Sequence, residues 1–326
     1  MEVAVNAIRV HQFGDVDQLC WEDVPIPEPQ NGEVRIKVKA AGVNFVEIYQ
    51  RKGWYTQPLP TILGSEFAGI VDAVGQGVTD FRVGDRVATA NGQGGYAEYA
   101  TAQAARLMPV PEAISLELAA AVLLQGMTAH FLARSTYPLK PGDTALIHAA
   151  AGGVGQLLVQ IAKMCGARVI ATVSTEEKAE LVRASGADEI ILYTQSDFEE
   201  DVKQMTDGKG VDVVYDGVGK ATFAKGLNVL KPRGYMVLFG QASGRVDPID
   251  PQVLNQKGSL FLTRPSMGHY LLTRDELRQR AGDLFDWITT GKLKVKIDRT
   301  FPLSRAADAH TYLENRLTKG KVLLIP

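Results

Sequence analysis

The sequence predicts an α/β protein in which a doubly wound parallel sheet is joined to a barrel-like β domain, and three observations predict it. From Thr144 to Phe239, near-continuous β-branched runs alternate with helical segments, as strands buried on both faces require. Before about Leu116 the chain shows short strands with regular Gly and Pro punctuation instead. A glycine-rich loop, Ala149 to Gly155, follows one strand and opens a helix. The 326 residues are 45% hydrophobic and 22% charged, ordinary globular composition for which two domains are expected.

In order, Val34-Arg35-Ile36-Lys37-Val38-Lys39-Ala40 alternates apolar and charged residues, the period of a half-buried strand. Pro25, Pro27 and Pro29 before it mark an extended loop. Gly64 to Gly75 reads as a second strand region, and Phe81 to Val87 as a turn and short strand. Glu117 to Arg134 reads as a helix interrupted near Gly126. Strands then follow at Thr144–His148, Arg168–Val173, Glu189–Leu192, Val211–Tyr215 and Tyr235–Phe239, with helices at Gly155–Cys165 and Thr175–Ser185. After Arg264 come a helix, Arg274 to Thr289, a mixed strand and a closing Lys321-Val322-Leu323-Leu324-Ile325. The expected organisation is a first domain over 1–122, a nucleotide-binding domain over 123–264, and a return to the first domain over 265–326.

Lys+Arg number 35 against 37 Asp+Glu, with no basic block, which argues against nucleic acid or an anionic membrane as partner. The two cysteines, Cys20 and Cys165, have no neighbouring ligand cluster, so a structural metal site is not expected and both are read as small packing residues. Met1 to Asn6 lacks the basic start and apolar core of a signal peptide, and no apolar run of about 18 residues is evident. A cytoplasmic location is the expectation.

The loop carries the most information. Aligned on G-x-G-x-x-G, its positions are Ala150, Gly152 and Gly155, with alanine at the first. Glycines let a backbone approach a pyrophosphate, and the helix N-terminus offers free N–H groups and a positive dipole. The alternative is a merely tight strand-to-helix turn. An NAD site places Asp or Glu about 20 residues further on. Here stand Ser174 and Thr175, with Lys178 one turn later, a hydroxyl and a cation suited to a 2′-phosphate. Glu176 and Glu177 fit as solvent-facing acids of a first helical turn. NADPH is therefore expected over NADH, the alternative being that Lys178 is an ordinary surface lysine.

Gly142-Asp143, Leu146, Ala150-Ala151-Gly152-Gly153-Val154-Gly155, Gln160 and Lys163 together resemble the signature of quinone oxidoreductases and ζ-crystallins, in the zinc-free branch of the medium-chain dehydrogenase/reductase superfamily. Ala41-Gly42-Val43-Asn44-Phe45, Gly64-Ser65-Glu66, Asn255-Gln256-Lys257-Gly258-Ser259, Thr263-Arg264-Pro265 and Glu314-Asn315-Arg316 with Gly320-Lys321 extend it over the whole chain. The resemblance implies a Rossmann sheet plus a GroES-like catalytic domain. It also implies that no zinc is bound, since Asn44 and Ser65 stand near the places of the Cys and His ligands of zinc alcohol dehydrogenases. The five histidines show no ligand spacing, with His148 the least easily dismissed because it adjoins the loop.

By the same resemblance, Ala151, Gly152, Gly153, Val154 and Gly155 hold the pyrophosphate, and Ser174, Lys178, Tyr193 and Arg316 the adenosine phosphate. Asn44 and Thr128 hold the nicotinamide end, while Phe239, Gly240, Gln241, Ser243, Phe261, Leu262 and Thr263 run along the cofactor. Asn44, Tyr49 and Tyr55 form the catalytic, substrate-side set, unless the tyrosines only pack an aromatic loop. Gln125 falls where some bacterial relatives carry Lys. The implied reaction passes reducing equivalents from NADPH to a quinone, a delocalised acceptor that needs neither a metal nor an acid–base dyad. The alternatives are reduction of an enone or alkenal C=C bond, and a non-enzymatic RNA-binding or crystallin-like role that the neutral charge balance disfavours. A homodimer is expected, paired through the edge strand Ser259 to Thr263.

Overall fold

The structure is a computed structural model, and it describes residues 4–326; the first three residues of the leader reading lie outside the described residues. The chain forms two compact units, one of residues up to Gln125 together with Leu271–Pro326, the other Gly126–Tyr270. These breaks fall a few residues beyond 122 and 264.

The first unit is built on the strand Glu33–Val43. Its Val34, Ile36 and Val38 are buried, while Arg35 on the opposite face pairs with Asp72 at 2.7 Å. That strand pairs antiparallel with Phe67–Val74, with Tyr99–Gln103 and, through Val322↔Val43 and Leu324↔Ala41, with Lys321–Ile325. The closing strand is thus a central member of a seven-stranded sheet, parallel to Ile297–Pro302 on its other side. One hydrophobic core joins Phe67, Val71, Val87 and Leu107 to Phe301, Leu303, Val322 and Leu324. A smaller sheet of three strands holds Ala4–Val10 between Cys20–Pro25 and Thr61–Ile62.

The second unit is a six-stranded sheet, all parallel. Its strands lie in the order Glu189–Leu192, Arg168–Val173, Thr144–Ile147, Val211–Asp216, Leu230–Leu238, Phe261–Thr263. Numbered along the chain this is 3-2-1-4-5-6, the dinucleotide-binding order, with its switch point between the strands beginning at Thr144 and Val211. Leu146, Ile170 and Val214 are fully buried, each worth about 1.5–3 kcal/mol of apolar burial.

Two expectations are corrected. The helix Leu116–Phe131 runs uninterrupted through Gly126 and ends in a π turn, Leu132–Thr136. A glycine costs about 1 kcal/mol in a helix interior, less than the burial of Val122, Leu123, Met127 and Phe131 returns. The same segment, Leu116–Thr136, is long and apolar enough to cross a membrane by length and composition, contrary to the sequence reading. Most of its apolar window is buried inside the protein, which accounts for that composition.

Candidate functional site

In the second unit, the expected cofactor residues follow the carboxyl ends of the parallel strands, where such sheets bind ligands. After Thr144–Ile147 the chain turns at Ala149, whose φ of 51° is left-handed. Thus alanine, not glycine, makes the tight turn, at a cost of roughly 1–2 kcal/mol. Gly152 is the N-cap of helix Gly153–Met164 and has no side chain to cap it. The first-turn amides of Gly153, Val154 and Gly155 are those a helix leaves without an intrahelical acceptor. A Cβ on Gly155 would lie 2.5 Å from the Ala149 carbonyl oxygen and 2.6 Å from Ala150 Cα, so the helix seats against the loop only with glycine there. The loop, then, is an anion cradle with open amides, which fits a pyrophosphate.

Ser174 follows the next strand, Arg168–Val173, and its carbonyl accepts the Thr194 hydroxyl at 2.9 Å. The Tyr193 amide donates to Val173 at 3.1 Å, which sets Tyr193, half-exposed, beside Ser174. Thr175 caps helix Glu176–Ala184 by accepting the Lys178 amide at 3.3 Å, so Lys178 stands on the first turn above Ser174. Glu176 and Glu177 are exposed, as expected of acids on the outer side of that turn. The backbone thus sets Ser174 and Tyr193 on neighbouring strand ends, with Lys178 on the helix that follows Ser174.

Phe239, Gly240, Gln241 and Ser243 form the loop after Leu230–Leu238. A Cβ on Gly240 would meet the Gly217 carbonyl at 2.4 Å, and Phe239 N donates to the Asp216 carbonyl at 2.8 Å. Ser243 Oγ donates to the Val218 carbonyl at 2.8 Å and accepts the Ala221 amide at 3.0 Å. Buried Asp216 holds the neighbouring loop by accepting the amides of Val218 at 2.7 Å and Gly219 at 3.0 Å. Phe261, Leu262 and Thr263 form the edge strand, with the Phe261 ring stacked on Tyr235 at 4.5 Å. Thr128 lies half-buried on the long helix.

In the first unit, Asn44 is one corner of a buried polar cluster that the sequence reading missed. Its Nδ2 donates to Glu66 Oε2 at 3.0 Å, and its Oδ1 accepts Lys321 Nζ at 2.6 Å and Gln125 Nε2 at 3.3 Å. Lys321 Nζ also donates to Glu66 Oε2 at 2.5 Å, and Glu66 Oε1 accepts the Leu124 amide at 2.7 Å. Glu47 accepts the Asn44 amide on one oxygen and the Ser65 amide on the other, both at 2.9 Å. Burial pushes the Glu47 carboxyl up to about 7, against the Ser65 hydrogen bond and the Lys321 charge, which pull it down. Glu47, Glu66 and Lys321 are each at most 1% exposed.

Tyr49 lies on helix Phe45–Arg51 and is buried. Trp54 stacks on it at 5.5 Å and Tyr55 meets it edge-on at 5.4 Å, so the open aromatic face expected of Tyr49 is covered. Tyr55 is the exposed ring, at 41%. Arg316 belongs to the first unit, in the left-handed turn that ends helix Ala306–Glu314, where its amide donates to Leu313. His148 is buried and held below its ordinary pKa by that burial; Nδ1 meets Thr172 Oγ1 at 3.0 Å, so it stands in the core behind the loop. Cys165 is half-buried with its thiol pushed up by burial, the state of an inert packing residue. Among the described residues no three His, Cys, Asp or Glu side chains come together as a metal site would require.

A 3-2-1-4-5-6 parallel sheet with an open-amide loop, joined to a β-rich unit closed by the chain's own tail, defines a dehydrogenase/reductase of the medium-chain type. Residues 30–112 match the alcohol dehydrogenase GroES-like domain and residues 153–287 the zinc-binding dehydrogenase family. A quinone oxidoreductase of Pseudomonas aeruginosa is 45% identical over 321 residues, covering 98% of this chain and 99% of its own. A 2-haloacrylate reductase of Burkholderia is 44% identical over 331 residues, covering 99% of each. The solved Escherichia coli quinone oxidoreductase complexed with NADPH has a TM-score of 0.96 at 43% identity, covering 98% of this chain and 100% of that one. The chain belongs to the quinone oxidoreductase family of the medium-chain dehydrogenases/reductases.

Proposed function

We propose that this protein is an NADPH-dependent oxidoreductase that reduces quinones. The observation that carries the reading is full-length identity above 40% with quinone oxidoreductases, one of them solved with NADPH, in a chain that keeps an open-amide phosphate loop. Bound NADPH supplies a hydride from its nicotinamide C4. The loop from Ala151 to Gly155 binds the pyrophosphate through the first-turn amides. Ser174, Lys178 and Tyr193 bind the 2′-phosphate, where a hydroxyl and a cation are complementary and an acid would repel. Phe239, Gly240, Gln241 and Ser243, with Phe261, Leu262 and Thr263, border the cofactor, and Thr128 orients its nicotinamide end. On the substrate side, with Asn44, Tyr55 offers its ring to the quinone and Tyr49 supports it edge-on, and these groups exclude water from the acceptor.

A second reading, reduction of an activated C=C bond, is favoured by the 44% identity with a 2-haloacrylate reductase. The deciding measurement is kcat/KM with NADPH for simple quinones beside alkenals and haloacrylates. A panel led by the alkenes overturns the quinone reading and leaves the cofactor assignment standing.

For assembly we infer a two-fold homodimer. Phe261 and Leu262 are 49% and 36% exposed on an edge strand that pairs on one side only, an apolar edge suited to meeting its own copy. A monomeric mass by light scattering at micromolar concentration refutes it. The net charge of −2, with no basic block in the sequence, speaks against a nucleic-acid or anionic-membrane partner.

A further inference from the structure

Amide side chains are ambiguous hydrogen-bonding groups, because a flip exchanges donor and acceptor. Asn44 is denied that ambiguity. Its oxygen faces Lys321, which can only donate, and its nitrogen faces Glu66, which as a carboxylate only accepts. Turning the amide over would set an NH₂ against an ammonium and an oxygen against a carboxylate, in surroundings where Asn44 itself is 5% exposed. Gln125 Nε2 then meets the fixed Asn44 oxygen at 3.3 Å, so its amide takes its sense from Asn44, and Gln125 is half-buried where the others are buried. The backbone is shaped for the pair. A Cβ at Gly42 would lie 2.3 Å from Glu66 Oε2, 2.8 Å from Lys321 Nζ and 2.9 Å from the Ala120 carbonyl.

We propose that Lys321 and Glu66 are positioning residues that lock the Asn44 amide in one orientation on the substrate side and, through it, fix the sense in which the Gln125 amide is held. The proposal rests on the substrate-side assignment of Asn44 given above. A fixed amide matters because small misplacements at a reacting centre cost rate out of proportion to their size.

The test uses the full chain. In the wild type, selective Asn labelling should show the Asn44 side-chain protons exchanging at least tenfold more slowly than those of exposed Asn31. Equal rates overturn the lock whatever the enzyme does. The neutral double variant Glu66→Gln with Lys321→Met removes both fixed partners without leaving a buried unpaired charge. The expected outcome is faster Asn44 exchange, a loss of roughly tenfold or more in quinone kcat, and an NADPH Kd within about twofold of wild type. A double variant with wild-type kcat and protected Asn44 protons refutes the proposal. A wild type that reduces no quinone, with Asn44 protected, refutes the substrate assignment and leaves the lock intact.

Discussion

Arg51 and His310 form a buried pair in which Nη1 of the guanidinium lies 3.1 Å from Nδ1 of the imidazole, and both side chains are fully enclosed. Since Arg51 can only donate, Nδ1 is the acceptor and the ring proton sits on Nε2, 3.2 Å from the Tyr96 hydroxyl. Arg51 Nη2 continues to Glu314 at 2.8 Å, tying helix Phe45–Arg51 to helix Ala306–Glu314. Burial, with Arg51 beside it, lowers the His310 pKa to about 3. The unfolded chain takes up that proton near 6.5 and the folded one does not until about 3, so the stability linked to His310 is complete above 6.5 and is lost as pH falls from 6.5 through 3. Urea unfolding at pH 7 and pH 4 should differ by several kcal/mol, on the order of 3, from this group. His310→Gln should remove most of that difference; an unchanged acid slope would show the ring to be no part of it.

Glu47 acts in the opposite sense. Its folded pKa, raised by burial to about 7, exceeds the ordinary 4.5, so the folded state holds a proton that the unfolded state has released. Stability linked to Glu47 is therefore present below 4.5 and declines as pH rises from 4.5 through about 7, by roughly 2–3 kcal/mol. Glu47→Gln cannot titrate and should flatten that decline. Thermal melts of the two proteins from pH 5 to pH 8 make the comparison, and parallel curves would be the adverse result.

Lys178→Ala should weaken NADPH by about 1.5–3 kcal/mol and leave NADH nearly unchanged, as loss of one charge-assisted phosphate contact predicts. Fluorescence titration with both cofactors reads it directly. Equal losses for the two would mean that Lys178 supports the helix rather than the phosphate.

At the aromatic loop the covered Tyr49 and the exposed Tyr55 should separate. Tyr55→Ala should raise KM for planar quinones with little change in stability, whereas Tyr55→Phe keeps the face and most of the activity. Tyr49→Ala empties a packed position and should cost about 3–5 kcal/mol of stability. If Tyr55→Ala matches wild type on every quinone tried, the substrate side lies elsewhere.

How much of this was legible follows from distance along the chain. Helix Arg274–Thr289 could be read from sequence because Thr273 accepts the Glu276 amide at 3.2 Å and Glu276 reaches back to the Thr273 amide at 3.1 Å, a local exchange three residues long. The parallel strands were equally plain, since burial on both faces leaves unbroken runs such as Val169-Ile170-Ala171. The Asn44 cluster was not, because Lys321 stands 277 residues from Asn44 and 255 from Glu66, and no local pattern marks such a meeting. Gly126 misled because helix propensity is weak beside burial. At Tyr49, spacing says nothing about Trp54 lying across its ring.

The closing strand Lys321–Ile325 sits between Ile297–Pro302 and Glu33–Val43, and this has a consequence for synthesis on the ribosome. Residues 126–270 are contiguous and can close their sheet while the last fifty or so residues are still being added. The earlier unit has to wait. Until Lys321 emerges, Glu66 and Asn44 lack their cation and one side of Glu33–Val43 is an open strand edge, so the nascent chain passes through a window in which pairing with a neighbour competes with completion. Slowing translation after residue 270 should lengthen that window and raise dependence on chaperones, while the folding of the nucleotide unit goes on unaffected.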